Sequence, residues 1–112
     1  QVLIQLKSYM EEKKPYLQDQ LTLPDVAIHL HVSINHLSQV INELCHQNFF
    51  EFINAYRVDE VKRKMKDPKN EVYSLLSIAH DCGFGSKSSF NRIFKFHTGQ
   101  TPSQFKKSLN SV

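Results

Sequence analysis

The sequence predicts an all-α chain of about seven helices, arranged as two helix-turn-helix units joined by one long central helix. Three observations predict it. Apolar residues recur at spacings of three and four rather than two. The stretch from Ser74 to Lys107 reads as a helix, a glycine turn, a second helix, a glycine stop and a proline-started third helix. An earlier stretch aligns with it as a diverged repeat: Val26 with Ile78, Ala27 with Ala79, Leu30 with Cys82, His31 with Gly83, Val32 with Phe84, Ser33 with Ser86, Leu37 with Phe90, Val40 with Ile93 and Ile41 with Phe94. The offset is 52 and becomes 53 at the extra Gly85. At 112 residues the chain is one compact domain or two very small ones sharing a helix. We divide it into a first unit (1–48), a linker helix (49–66) and a second unit (67–112).

An opening helix runs from Val2 to about Lys13, with Leu3, Leu6, Tyr9 and Met10 on one side, and Pro15 stops it. Pro24 fits the first position of the next helix, which carries Val26, Ala27 and Leu30. At the turn, His31 stands where glycine is favoured, which predicts a strained or open connection. Ser33 caps a helix whose inward residues are Leu37, Val40, Ile41 and Leu44, and whose outward ones are Ile34, Asn35, His36, Ser38, Gln39 and Asn42. Asparagine and glutamine pair bidentately with adenine, but no lysine or arginine stands among these residues, and His36 adds charge only when protonated.

Residues 45–48 interrupt the periodicity, and Phe49 to about Lys66 then forms the long helix. Its front half turns Phe49, Phe52, Ile53 and Tyr56 to one side, its rear half Val58, Val61 and Met65 to another, so it faces two sets of neighbours. Arg57, set between apolar residues, reads as a structural ion-pair former, with phosphate contact as the alternative. Asp67-Pro68-Lys69-Asn70 breaks the helix as a hinge.

In the second unit Ser74 caps a helix with Leu75, Leu76, Ile78, Ala79 and Cys82 on its apolar side, Gly83 supplies the positive φ of the turn, and Phe84 plugs the angle. Ser86 caps the following helix, which turns Phe90, Ile93 and Phe94 inward and Lys87, Ser88, Asn91, Arg92 and Lys95 outward. Gly99 closes it, and Thr101-Pro102 starts a last helix that holds Phe105 and offers an amide-rich N-terminus near Lys106 and Lys107. Beyond Ser108 the tail is expected to fray.

Charge is segregated. From Cys82 onward there are five lysines and arginines and no acid, whereas residues 1–81 hold nine basic and eleven acidic residues. A cationic, amide-bearing face opposite an aromatic one suits DNA: cations for phosphate, Arg and Asn for base edges. A merely solvated outer face is the bland alternative.

Ile78-Ala79, Gly83-Phe84, Ser86, Ser88, Phe90-Asn91-Arg92, Phe94-Lys95, Gly99, Thr101-Pro102 and Phe105 together resemble the second helix-turn-helix and signature of the AraC/XylS family of bacterial transcription regulators. The resemblance covers nearly the whole chain and is tightest in residues 74–105. It implies homeodomain-like units, places Asn54-Ala55-Tyr56-Arg57-Val58 in the rod helix, and implies base contacts by Asn35, Ser38, Gln39, Lys87, Ser88, Asn91 and Arg92. Phosphate contacts are expected from Ser33, Ser86, Lys95, Thr101 and Lys106. The sequence departs from the family at His46, where glycine is usual, and at Lys106, where arginine is more frequent.

The function expected is sequence-specific binding of double-stranded DNA as the output domain of a regulator. A rod of about 18 residues spans roughly 27 Å, which lets both recognition helices enter successive major-groove turns about 34 Å apart. Expected partners are DNA, RNA polymerase, and a sensor, receiver or dimerisation region upstream of Gln1 in a longer protein; the pattern from Leu37 to Arg57 resembles regulators fused behind larger signalling proteins. The alternative is a protein-interaction module recruiting polymerase or a signalling partner.

No nucleophile, base and orienting residue form a catalytic motif, so an enzyme is not expected. The six histidines lack metal-ligand framing, no cofactor is implied, and Cys45 and Cys82 read as reduced structural thiols rather than a disulfide. No run is long enough to span a membrane and nothing resembles a signal peptide, so a cytoplasmic, nucleoid-associated protein without membrane contact is expected.

Overall fold

The computed structural model describes residues 1–110. Seven α-helices and two 3-10 turns follow one another, and no strand occurs among the described residues. In chain order the helices are α1 (Val2–Lys13), α2 (Leu23–Leu30), α3 (Ile34–Cys45), α4 (Phe49–Lys66), α5 (Leu75–Asp81), α6 (Lys87–Thr98) and α7 (Pro102–Leu109). The chain resolves into two compact units, residues 1–56 and 57–112, with α4 contributing to each.

In the first unit α1 packs on α2 and α3, and α2 packs on α3. The core is Leu6, Met10, Tyr16, Val26, Ala27, Leu37, Ile41, Phe49, Phe52 and Ile53, one apolar residue after another at helical spacing. Lys14, in the left-handed conformation, ends α1, and Pro15 begins a 3-10 turn that buries Tyr16 against Tyr56 with ring centroids 5.5 Å apart. Helix α2 starts one residue earlier than Pro24 suggests. Thr22 is its cap, in a capping box with Asp25, so Pro24 falls within the first turn but not at its head.

The turn between α2 and α3 is closed, so of the two outcomes expected at His31, strained or open, the open one is not found. His31 adopts the left-handed conformation (φ 59) and donates its N–H to Ile28 O at 3.2 Å, while Val32 N–H reaches Ala27 O at 3.1 Å. In the second unit Gly83 (φ 99) and Phe84 make the same two bonds, to His80 O and Ala79 O, both at 3.1 Å. Histidine is one of the few non-glycine residues that tolerate this region, and satisfied carbonyls at the helix end offset its cost.

The second unit is built around phenylalanine. Ring centroids lie 5.2 Å apart for Phe84–Phe90, 5.8 Å for Phe90–Phe94 and 5.4 Å for Phe94–Phe105, so one aromatic chain links the turn, α6 and α7. Thr98 Oγ1 lies 2.9 Å from both Phe94 O and Gln100 O and accepts the Gln100 N–H, tying the end of α6 to the start of α7. Asp67–Asn70, read from sequence as a hinge, is a hydrogen-bonded turn: Asp67 Oδ1 accepts the Lys69 N–H at 3.0 Å and Asn70 Nδ2 donates to Lys64 O at 3.1 Å. Helix α7 continues to Leu109, one residue past the expected onset of fraying; residues 111 and 112 lie outside the described residues.

Helix α4 begins with a reciprocal cap, Asn48 N–H to Glu51 Oε1 at 3.0 Å and Glu51 N–H to Asn48 Oδ1 at 2.8 Å. Val58 and Val61 are buried in its rear half beside two polar residues, Arg57 and Glu60, and Glu60 is bonded to Arg63 Nε. Two inward assignments fail: Leu44 is 54% exposed and Leu76 is 49% exposed. Both have the spacing of a core residue, yet each stands largely in solvent.

Cys45 and Cys82 are free thiols, Cys45 half-buried and Cys82 fully buried. Burial pushes the Cys82 thiol from 9.0 up to about 11, with Lys64 pulling weakly the other way. Below pH 9 the thiol is protonated in both the folded and unfolded chains. Between 9 and about 11 the unfolded chain releases its proton first, so stability falls across that window by up to about 2–3 kcal/mol. Urea midpoints taken below pH 9 and near pH 11 should show a shallower fall in Cys82→Ala than in the parent; equal slopes would disprove the assignment.

Candidate nucleic-acid interface

The two candidate recognition helices are built alike. Each has 12 residues, α3 capped by Ser33 and α6 by Ser86, whose hydroxyl oxygens accept the His36 N–H at 3.0 Å and the Ser89 N–H at 3.1 Å. Each ends in the left-handed conformation, α3 at His46 (φ 56) and α6 at Gly99 (φ 79). A Cβ added to Gly99 would meet nothing within 4 Å, so conformation alone sets the cost of replacing it. Gly99→Ala should lower stability by about 1 kcal/mol and His46→Gly should raise it by about 0.5–1 kcal/mol. Thermal unfolding of the two variants checks both signs.

On α6 the inward face is Phe90 and Phe94, both buried, with Ile93 half-buried. Lys87, Ser88, Asn91, Arg92 and Lys95 are all exposed on the outer side, as their spacing predicts, and carry three positive charges with no acid. On α3, Leu37 and Ile41 are buried, Asn35 and Gln39 are exposed and Ser38 is half-buried. This face is less free than the sequence implies. Asn42 Nδ2 donates to Ser38 O at 3.0 Å and lies 3.4 Å from Ser38 Oγ, and Gln39 Nε2 donates to Glu43 Oε1 at 3.1 Å.

Glu43 is a residue that the sequence reading passed over. Its signal was present as an amide and a carboxylate at i and i+4, the spacing at which helical side chains meet. The corresponding position on α6 is Phe96, which is exposed.

Ser33 and Ser86, expected at phosphates, sit at the two helix starts, where each hydroxyl accepts a backbone N–H and keeps its own proton for donation. Thr101 does the same at α7, accepting the Gln104 N–H at 3.2 Å while Gln104 Oε1 accepts the Thr101 N–H at 2.9 Å. That capping box corrects the expectation of an amide-rich α7 terminus. Pro102 has no N–H, the Gln104 and Phe105 donors are bonded to Thr101, and Ser103 keeps the one first-turn donor not taken up among the described residues. Lys95 is exposed. Lys106 is half-buried and borders a small cavity of about 20 Å³ with Met65, Leu75, Ile78 and Leu109. Arg57, 9% exposed, is packed within the protein.

Among the described residues no group of three or more His, Cys, Asp or Glu side chains could hold a metal ion, and no helix is long and apolar enough to cross a membrane.

A family described as a helix-turn-helix domain matches residues 26–108. The melibiose operon regulatory protein of Escherichia coli K12 is 30% identical over 87 residues, which span 78% of this chain and 28% of that protein. The uncharacterised regulator YijO of the same organism is 27% identical over 106 residues, 95% of this chain and 35% of that protein. The chain thus spans about a third of the length of these curated relatives. The C-terminal domain of AraT, a response regulator from Geobacillus stearothermophilus, shares the fold with a TM-score of 0.81 at 24% identity, covering 96% of this chain and 84% of that one. Of these relatives, the first is an operon regulatory protein and the second a helix-turn-helix transcriptional regulator. The family match takes in both repeated helix-turn-helix units and every signature residue from Ile78 to Phe105: the chain belongs to the AraC/XylS-type helix-turn-helix family of transcription regulators.

Proposed function

We propose that this chain is the sequence-specific DNA-binding output of a transcription regulator, and that α3 and α6 enter successive turns of the major groove. One observation carries the reading. The outer face of α6 presents Lys87, Ser88, Asn91, Arg92 and Lys95 to solvent opposite a buried phenylalanine face, in a segment without a single acid. Lys87, Ser88, Asn91 and Arg92 read base edges from the second unit, and Asn35, Ser38 and Gln39 from the first. Ser33, Ser86, Lys95, Thr101 and Lys106 grip phosphates and fix the register. In this reading residues 1–48 and 67–112 are the two readers and 49–66 the spacer between them. Helix α4 is about 27 Å long by its rise per residue. That length suits half-sites one helical turn apart. The domain works in the cytoplasm at the nucleoid, as part of a longer protein that supplies sensing, receiving or dimerisation, and it recruits RNA polymerase.

The test is selection from random duplex DNA at moderate salt. Two dissimilar motifs about one helical turn apart in fixed orientation are expected. One motif alone would remove α3 from the reading, and no enrichment would remove DNA recognition by this chain. A second reading has its own observation: α3 carries no lysine or arginine on its outer face, and Ser38 and Gln39 are already hydrogen-bonded there. Such a face could serve a protein partner, polymerase or a signalling protein. Salt separates the two. Phosphate contacts by two cations, Lys95 and Lys106, give a slope of log K against log salt of about −2, whereas a protein interface of this kind is nearly flat.

A further inference from the structure

Building on the DNA-binding reading above, we propose that Glu43 is a positioning residue: it holds the Gln39 amide in the orientation that reads adenine from the first unit. A carboxylate accepts hydrogen bonds and does not donate them, so the 3.1 Å contact with Glu43 Oε1 must be made by the Gln39 nitrogen rather than by its oxygen. That settles which way the amide is turned. Of its polar groups, Oε1 and the second N–H of Nε2 remain for the groove, an adjacent acceptor and donor. Adenine presents the matching pair on its major-groove edge, the N6 amino donor and the N7 acceptor. Guanine presents two acceptors there and leaves Oε1 opposed to O6.

The comparison with α6 explains why such a support is needed on one helix and not on the other. Arg92 occupies the position matching Gln39, and its planar guanidinium is a preformed fork. A glutamine amide is equally planar, but it has a donor end and an acceptor end that must be turned the right way about its last torsion, whereas the guanidinium carries donors only. Asn42 supports Ser38 in the same way, so the α3 face is ordered by two side chains that themselves come one turn later. The carboxylate has a cost on this surface, because it repels phosphate where no lysine or arginine offsets it. At the corresponding place α6 has Phe96, which carries no charge.

Two substitutions separate the hydrogen bond from the charge. Glu43→Gln keeps an acceptor and removes the charge; Glu43→Ala removes both. The experiment determines, for the 112-residue chain, base preferences on the site selected by the parent, with Gln39→Ala locating the base pair concerned. Adenine is expected at that position. Glu43→Ala should lower the preference for it by about two- to fivefold while raising affinity for unrelated DNA at low salt. Glu43→Gln should retain the preference and show the same gain in general affinity. Glu43 is exposed, so loss of fold does not confuse the result, and circular dichroism confirms it. An unchanged preference in Glu43→Ala overturns the proposal while leaving the DNA-binding reading intact, as does a loss in Glu43→Gln equal to that in Glu43→Ala, or a Gln39→Ala variant with no altered position. If the parent selects no site, the DNA-binding reading itself has failed and this inference falls with it.

Discussion

Phe94→Ala is expected to lower the unfolding free energy by about 3–5 kcal/mol, the usual cost of emptying a fully buried aromatic site. Phe94 is 0% exposed and is the middle of the aromatic chain, with Phe90 on one side and Phe105 on the other. Its removal takes away two ring contacts as well as the buried area, and neither neighbour is able to refill the space without leaving its own position. Small domains have a total stability of about 5–15 kcal/mol, so one substitution removes a large part of it. Urea denaturation followed by circular dichroism measures the loss, with Ser88→Ala on the opposite face of the same helix as the control. A shift of under about 1 kcal/mol would show that the aromatic chain is not what holds α6 in place. Because Lys87, Asn91 and Arg92 are presented only while α6 is anchored, DNA binding should fall along with stability in Phe94→Ala.

Arg92→Ala is the largest effect expected without any loss of fold. Arg92 is exposed and its side chain contributes little to packing. A bidentate contact between arginine and guanine is worth about 1–3 kcal/mol, so binding to the selected site should weaken by roughly five- to 150-fold and the preference at one base pair should relax. Lys95→Ala should behave differently. It should weaken all duplexes alike and reduce the salt slope by about one. Binding curves for both variants on the selected site and on unrelated DNA distinguish the roles. If Arg92→Ala holds its site as tightly as the parent, Arg92 is not a base-reading residue.

Much of the fold was legible because its main determinants are periodic. Helices α1 and α4 run between the residues that spacing and breakers marked, and the repeat aligned His31 with Gly83 before any coordinate showed both in the left-handed conformation. Tertiary reach is where spacing stops being informative. Leu44 and Leu76 point toward a core by phase, yet phase gives a direction and not the length of the neighbour that would cover them. The capping boxes at Thr22 and Asn48 are residue pairs three apart in the sequence, but Pro24 offers a competing helix start in the first case and the periodicity is broken in the second. At the candidate interface, outwardness was readable for Lys87, Ser88, Asn91, Arg92 and Lys95 on α6, but not for Phe96. The internal bonds on α3 were not, since they depend on which rotamers Gln39 and Asn42 adopt once the backbone is helical. The α7 terminus was misjudged because a threonine three residues before a glutamine uses the donors that a bare helix start would offer.

The boundary between the two compact units falls between Tyr56 and Arg57, inside an uninterrupted helix rather than in a loop. Phe49, Phe52 and Ile53 belong to the core on one side of that point, and Val58 and Val61 are buried on the other. A cut placed there would leave each fragment its own apolar residues but only half of the helix, and the backbone N–H and C=O groups that bond across the cut would lose their partners. Exchanging one unit for another therefore means rebuilding a helix rather than resplicing a loop.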